Sequence, residues 1–325
     1  MLKKSFILLS VLLLFFGVLS GCSTDNKEVN NTSATELNEQ QNEQSDTLAE
    51  NVYPLTVKDI TDAEITISAE PKRIISLIPS LTETLFALSL DEKVIAVTAY
   101  DNYPEGVQEK VEFVFEDALN PNMEQILNLN PDLILIGPVN DELTNNIRNL
   151  KIPTVKFDPK NIAQVYETIE KVGLITNANE QAKLLINNLK EKEEFILGKV
   201  ANIQQEEKVR VWPEISNDLW TSGKGTFIDE LINKAGGINI VEEEGWIQYN
   251  EEKVIEKNPQ VILITYDYIP NAVEEVLKRE GWEHVDALTN QRVYDLNSDL
   301  VTRPGPRIIN GLEEIAKALY PDLFK

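Results

Sequence analysis

One cysteine, one histidine and two methionines among 325 residues leave few side chains suited to covalent catalysis or soft-metal binding. With Cys22 alone no internal disulfide can form, so stability must come from a sizeable apolar core. His284, within Gly281-Trp-Glu-His284, has no second histidine to share a metal with and reads as a partly exposed helix or turn residue. No Ser/His/Asp set assembles, no glycine-rich phosphate loop is present, and no metal-ligand spacing occurs. Catalytic and metal residues are therefore expected to be none, and no cofactor is expected. Basic residues are also scarce, 30 against 54 acidic, for a net charge of −24. A surface that acidic argues against nucleic acid and against charge-driven binding to anionic lipid. Carboxylates are plentiful enough that an anchored extracellular hydrolase stays open as a rival reading.

The long apolar run lies at the start. Lys3 and Lys4 precede Phe6 to Leu19, and Leu19-Ser-Gly-Cys22 follows. A basic start, an apolar stretch too short to span comfortably and a small-residue processing site describe an export leader over 1–21. The ending resembles a bacterial lipobox. Cys22 would then be the first mature residue and carry acyl chains such as palmitate, anchoring the protein to the outer face of the cell membrane. From Cys22 to Asn51 the chain is polar, acidic and poor in aromatics, and is expected to be a disordered tether.

Beyond Asn51, strand-length apolar runs alternate with helical patterns. Strands are expected over 74–78, 93–98, 133–136, 209–212, 261–265 and 292–296, and helices over 81–88, 123–129, 226–235, 272–279 and 307–319. Such alternation implies βαβ units and parallel sheet. A long helical region over 180–203, free of proline and with one late glycine, divides the chain. The expected fold class is α/β: an N-terminal lobe over 52–178, an interlobe helix over 179–204 and a C-terminal lobe over 205–325. An internal echo supports related lobes, because Glu124 to Ile136 and Glu252 to Ile264 share a Glu, an Asn-Pro pair and an apolar strand at one offset.

Two lobes joined in this way place a ligand between them, walled by loops at strand carboxyl ends. Candidates are Pro79-Ser80, Tyr100, Tyr103, Trp220, Thr221-Ser-Gly223, Trp246 and the segment from Asp299 to Arg303. The aromatics suit a planar or macrocyclic ligand, with flat area and polar handles.

At these residues the chain resembles a known family. Pro71-Lys-Arg-Ile-Ile-Ser-Leu-Ile-Pro-Ser-Leu-Thr-Glu83, Tyr100-Asp-Asn-Tyr-Pro104 and Asn120-Pro-Asn-Met-Glu124 are similar to successive motifs of vitamin B12- and siderophore-type binding proteins. So are Thr221-Ser-Gly-Lys-Gly-Thr-Phe-Ile-Asp229, Gly236-Gly-Ile-Asn239 and Arg303-Pro-Gly-Pro-Arg307. The resemblance runs from about Val52 to the C-terminus and implies a class III binding-protein fold with a rigid interlobe helix. It implies a substrate-binding protein of an ABC importer rather than an enzyme, with membrane permease subunits as partners. Glu124 and Glu252 match the two lobe glutamates that such proteins set against permease arginines, a charge-assisted, reversible contact. Tyr100, Trp220, Trp246, Asp299 and Arg303 fall where corrinoid-binding members place cleft residues. An iron–siderophore complex or haem is the alternative cargo. The chain departs from the pattern over Val111 to Ala118, where members carry a glycine pair and corrinoid binders an aromatic; Phe115 is the nearest substitute.

Overall fold

A computed structural model describes residues 51–325; the leader, Cys22 and the tether up to Glu50 lie outside the described residues. Asn51, expected to end the tether, is bonded to the fold: its amide donates to Asn177 Oδ1 and its side chain to the Leu174 carbonyl. Strands β1 (Leu55–Lys58) and β2 (Glu64–Ile67) follow as an antiparallel hairpin. Its turn is built by Asp59, which accepts from Thr61 N and Oγ1 and also pairs with Arg148.

The first lobe is a five-stranded parallel sheet. Its strands are β3 (Ile74–Ser76), β4 (Val94–Thr98), β5 (Phe113–Phe115), β6 (Leu133–Ile136) and β7 (Thr154–Lys156), in the order β5-β4-β3-β6-β7. The central strands are wholly buried, as expected where helices cover both faces. Connecting them are α1 (Pro79–Ala87), α2 (Met123–Asn128) and α3 (Asp141–Asn149). The chain winds from β3 toward one edge and returns to β6, so the topological switch point lies between these two strands.

Two helices leave this lobe. Helix α4 (Ile162–Thr176) buries Ile162, Val165, Ile169, Val172 and Ile175 along one face. Asn177 ends it in the left-handed region at φ 60°, and α5 (Asn179–Val200) starts at once. At 22 residues α5 is about 33 Å long. Gly173 lets it approach, since a Cβ there would sit 2.5 Å from that of Ala182.

The second lobe comprises β8 (Arg210–Glu214), β9 (Trp220–Ser222), α6 (Phe227–Lys234), β10 (Ile238–Asn239), β11 (Trp246–Gln248) and α7 (Glu251–Lys257). It continues with β12 (Val261–Ile264), α8 (Ala272–Leu277), α9 (Asp286–Thr289), β13 (Val293–Asp295), α10 (Ser298–Thr302) and α11 (Ile308–Leu319). Its sheet runs β11-β9-β8-β12-β13, with β10 beside β8. Here the all-parallel expectation meets a difference: β9 and β11 are antiparallel, forming an edge beyond the parallel core. One apolar core extends through both lobes, joining Ile74 and Leu133 to Val211, Leu231 and Leu312 by way of α4, α5 and α11. No helix among the described residues is long and apolar enough to cross a membrane.

Candidate functional site

The carboxyl ends of the strands open on a cleft of about 780 Å³ between the lobes. Pro79 and Ser80, where β3 gives way to α1, form its floor at the switch point, with Pro138 following β6. Tyr100 enters from the loop after β4 and Trp246 from the start of β11 in the other lobe. These rings are 62% and 55% exposed. Exposed aromatic surface in a concave site is a candidate for ligand contact.

Backbone geometry presents Trp246. Loops 223–226 and 243–246 are zipped together by Gly223 N to Gly245 O at 2.8 Å, Lys224 N to Glu243 O at 2.8 Å and Gly245 N to Lys224 O at 3.0 Å. Gly223 permits this approach, because a Cβ there would lie 2.0 Å from the Glu243 carbonyl oxygen. Gly245, at φ 73°, turns the chain into β11 through a conformation that favours glycine.

The charges lining the cleft are already matched. Lys160 meets Asp158 at 2.7 Å, and Arg303 meets Asp299 at 2.8 Å. Arg303 also donates to Asn102 Oδ1 at 2.6 Å, to the Tyr100 carbonyl at 3.2 Å and to Glu83 at 3.4 Å. Deeper in the first lobe, burial raises the Asp101 carboxyl above its ordinary range, against hydrogen bonds from Thr82 and Thr98 and the nearby charge of Arg303. Among the described residues no group of His, Cys, Asp and Glu is arranged to hold a metal ion.

Of the five ligand candidates, the fold brings Tyr100, Trp246, Asp299 and Arg303 together in the cleft. Trp220 stands apart at the solvent end of β9 opposite Gln248, outside the cleft lining. Tyr103 stacks against Arg307, whose guanidinium carbon is 4.0 Å from the ring centre. Thr221 and Ser222 are buried. Phe115 cannot supply a cleft aromatic, because it is buried in the first lobe with its ring centre 4.9 Å from that of Phe113. His284 is exposed. Phe157, Asp158 and Lys160 line the cleft without having been singled out in the sequence, because the strand they follow, β7, has only three residues.

Glu124 and Glu252 occupy the same position in matching helices. Each is the second residue of its helix, α2 or α7, behind an N-cap asparagine: Asn122 accepts from Gln125 N, and Asn250 from Lys253 N. Both glutamates are exposed. The echo extends past the helices, where Asn130 and Asn258 end them at φ 48° and 44°.

A larger hollow of about 910 Å³ lies between α4, α5 and α6. Its polar groups largely satisfy one another, with Glu193 accepting from Tyr166 at 2.7 Å and pairing with Lys234 at 2.8 Å. It lacks the strand ends and open aromatics of the cleft, which makes the smaller cavity the functional candidate.

A cleft between two α/β lobes, at the switch point of the first, lined by open aromatics and backed by a shared core, defines a two-lobed solute receptor. The chain belongs to the periplasmic binding protein family, whose model matches residues 74–300. It is 38% identical over 283 residues to YvrC of Bacillus subtilis, described as an uncharacterized ABC transporter substrate-binding lipoprotein, across 84% of this chain and 88% of that one. It is 28% identical over 254 residues to the vitamin B12-binding protein of Vibrio cholerae, across 76% of this chain and 89% of that one. A crystal structure of a possible iron-binding, periplasmic solute-binding protein from Staphylococcus epidermidis superposes with a TM-score of 0.68 at 31% identity, covering 78% of this chain and all of that one.

Proposed function

We propose that this protein is the substrate-binding lipoprotein of an ABC importer, capturing a corrinoid in the interlobe cleft and handing it to the permease. One observation carries the ligand class: Tyr100 and Trp246 line the cleft from opposite lobes while its charges are compensated in place. A large ligand with flat faces and neutral amide arms gains contact with the rings and demands no free ion. A multiply anionic chelate would have to break the Lys160–Asp158 or Arg303–Asp299 pair to find a cation. The two acidic residues lining the cleft, Asp158 and Asp299, are both engaged, which speaks against a paired-carboxylate hydrolase.

An iron–siderophore complex is the second reading. It is favoured by the burial of Phe115, which leaves the corrinoid-type aromatic near Ala118 without a substitute, and by the likeness to the possible iron-binding protein. Acylation of Cys22 would hold the receptor at the extracytoplasmic face of the membrane, in keeping with the lipoprotein description of YvrC.

Titration with cyanocobalamin, followed by tryptophan fluorescence and calorimetry, tests the ligand. Saturable one-to-one binding that weakens at least about tenfold in Trp246→Ala is expected, the loss of a large aromatic contact. No binding by the wild-type protein would move the ligand to iron chelates. Docking is tested separately. Changing Glu124 and Glu252 to Ala should leave affinity unchanged and abolish uptake by cells. Lost affinity in the purified double variant would remove the docking role.

A further inference from the structure

The pair that closes one end of the cleft, Asp299 and Arg303, belongs to the second lobe, yet groups of the first lobe hold it in place. Asn102 binds both members at once: its Nδ2 donates to Asp299 Oδ2 at 2.9 Å, and its Oδ1 accepts from Arg303 Nη1 at 2.6 Å. Only a side-chain amide offers a donor and an acceptor side by side, matching an acid and a base held in register. Behind this contact, Glu83 of α1 is 3% exposed and receives Arg307 through two bonds, Nε at 2.9 Å and Nη2 at 2.6 Å. It also receives Arg303 at 3.4 Å. The backbones meet here too: a Cβ on Gly305 would lie 3.1 Å from the Ser80 carbonyl oxygen, so the segment between α10 and α11 rests on the first turn of α1. Neither Asn102 nor Glu83 lines the cleft.

We infer that Asn102 and Glu83 are cross-lobe positioning residues, which set the Asp299–Arg303 pair in its ligand-facing geometry and so make affinity depend on contact between the lobes. The inference rests on the reading of the cleft as the ligand site. The chemistry gives it a specific signature. Asn102→Leu removes both bonds at similar size. Asn102→Asp keeps an acceptor for Arg303 but sets a carboxylate against Asp299, so it should be at least as damaging as the leucine. Glu83→Gln leaves two guanidinium groups without their buried counter-charge.

The test uses the full chain in detergent and two readouts. With cyanocobalamin as probe, Asn102→Leu should weaken binding about tenfold in the wild-type background and less than about twofold in Asp299→Ala, because residues acting through one another are non-additive. Equal losses in both backgrounds would overturn the inference, as would an Asn102→Asp variant that binds like the wild type. The second readout needs no ligand. Amide hydrogen exchange over residues 298–305 should speed up in Asn102→Leu and Glu83→Gln, while residues 261–264 keep their protection. Unchanged exchange over 298–305 in both variants would overturn the inference even where Glu83→Gln lowers overall stability. Should the wild-type protein fail to bind cyanocobalamin, the ligand assignment falls while the exchange measurement still decides the cross-lobe positioning.

Discussion

Gly311 shows how closely single atoms control the cleft. It lies on α11 where a Cβ would be 2.3 Å from the Leu300 carbonyl oxygen and 3.0 Å from Val301. Leu300 follows Asp299 on α10, so whatever pushes α10 away from α11 also moves a cleft carboxylate. Gly311→Ala is therefore expected to cost about 1–3 kcal/mol by overpacking, and to weaken ligand binding as well. Thermal melting and titration of the same sample check this; a variant with unchanged Tm and affinity would show that α10 yields freely. Nothing in the sequence near 311 marks this contact, because the crowding comes from a carbonyl on a neighbouring helix. Trp246 is different. A tryptophan directly after a glycine, at the start of a short strand, is conspicuous in the chain, and the zipped loops explain why it stands exposed. Trp220 is equally conspicuous and is not in the cleft, since its side chain faces outward from β9.

At the scale of elements, the most legible parts are those where one residue pattern decides. The runs at 133–136 and 261–264 are uninterrupted apolar strands ending helix–Asn-Pro units, and both are fully buried central strands. The echo has a structural counterpart at the helix ends. Arg73 donates to the carbonyls of Leu129 and Asn130, and Arg210 to that of Asn258, so in each lobe an arginine entering the first central strand meets the carboxyl end of the matching helix, α2 or α7. Less was legible where strands are short. β9 and β11 have three residues each, with exposed residues at one or both ends, so their antiparallel pairing leaves no apolar run. Helix α4 carries a full buried face over Ile162 to Ile175 but follows β7, whose three residues leave no apolar run to announce it. The loop between β10 and β11 supports a pH prediction. Glu243 contacts both the Lys253 ammonium and the Tyr249 hydroxyl, and these lower its carboxyl from the ordinary 4.5 to about 2. A lowered acid stabilises the fold above the ordinary value and loses that contribution as pH falls from about 4.5 toward 2. Glu243 and Lys253 are each more than a third exposed, so the contribution is below about 1 kcal/mol. Lys253→Met should return the Glu243 titration toward the ordinary range in a carbon-detected NMR titration. A midpoint that stays near 2 would assign the shift to Tyr249 instead.

Three sets of contacts hold the lobes together. Helix α5 is fixed to the first lobe where Ala182 meets Gly173, and to the second where Lys192 pairs with Glu313 at 2.6 Å and bonds Asn310 at 2.8 Å. On α6, Glu230 accepts the amide of Ile162 at 3.0 Å, so the second lobe caps the first turn of α4. Behind the cleft lining, Glu83 receives Arg303 and Arg307. Hinge bending requires loop residues free to change φ and ψ, whereas here the connection is a helix and the apolar core continues through both lobes. Opening by a large angle would expose that core and part Glu83 from Arg307, leaving both without an ionic partner, a cost of several kcal/mol. Ligand capture should then involve only a small closure. Solution scattering is expected to give a radius of gyration for the folded part of roughly 19 Å, changing by less than about 0.5 Å on saturation with ligand. A larger compaction would mean that the free protein opens in solution by breaking the Glu83 contacts, and Glu83→Gln would then expand the ligand-free protein to the same open radius.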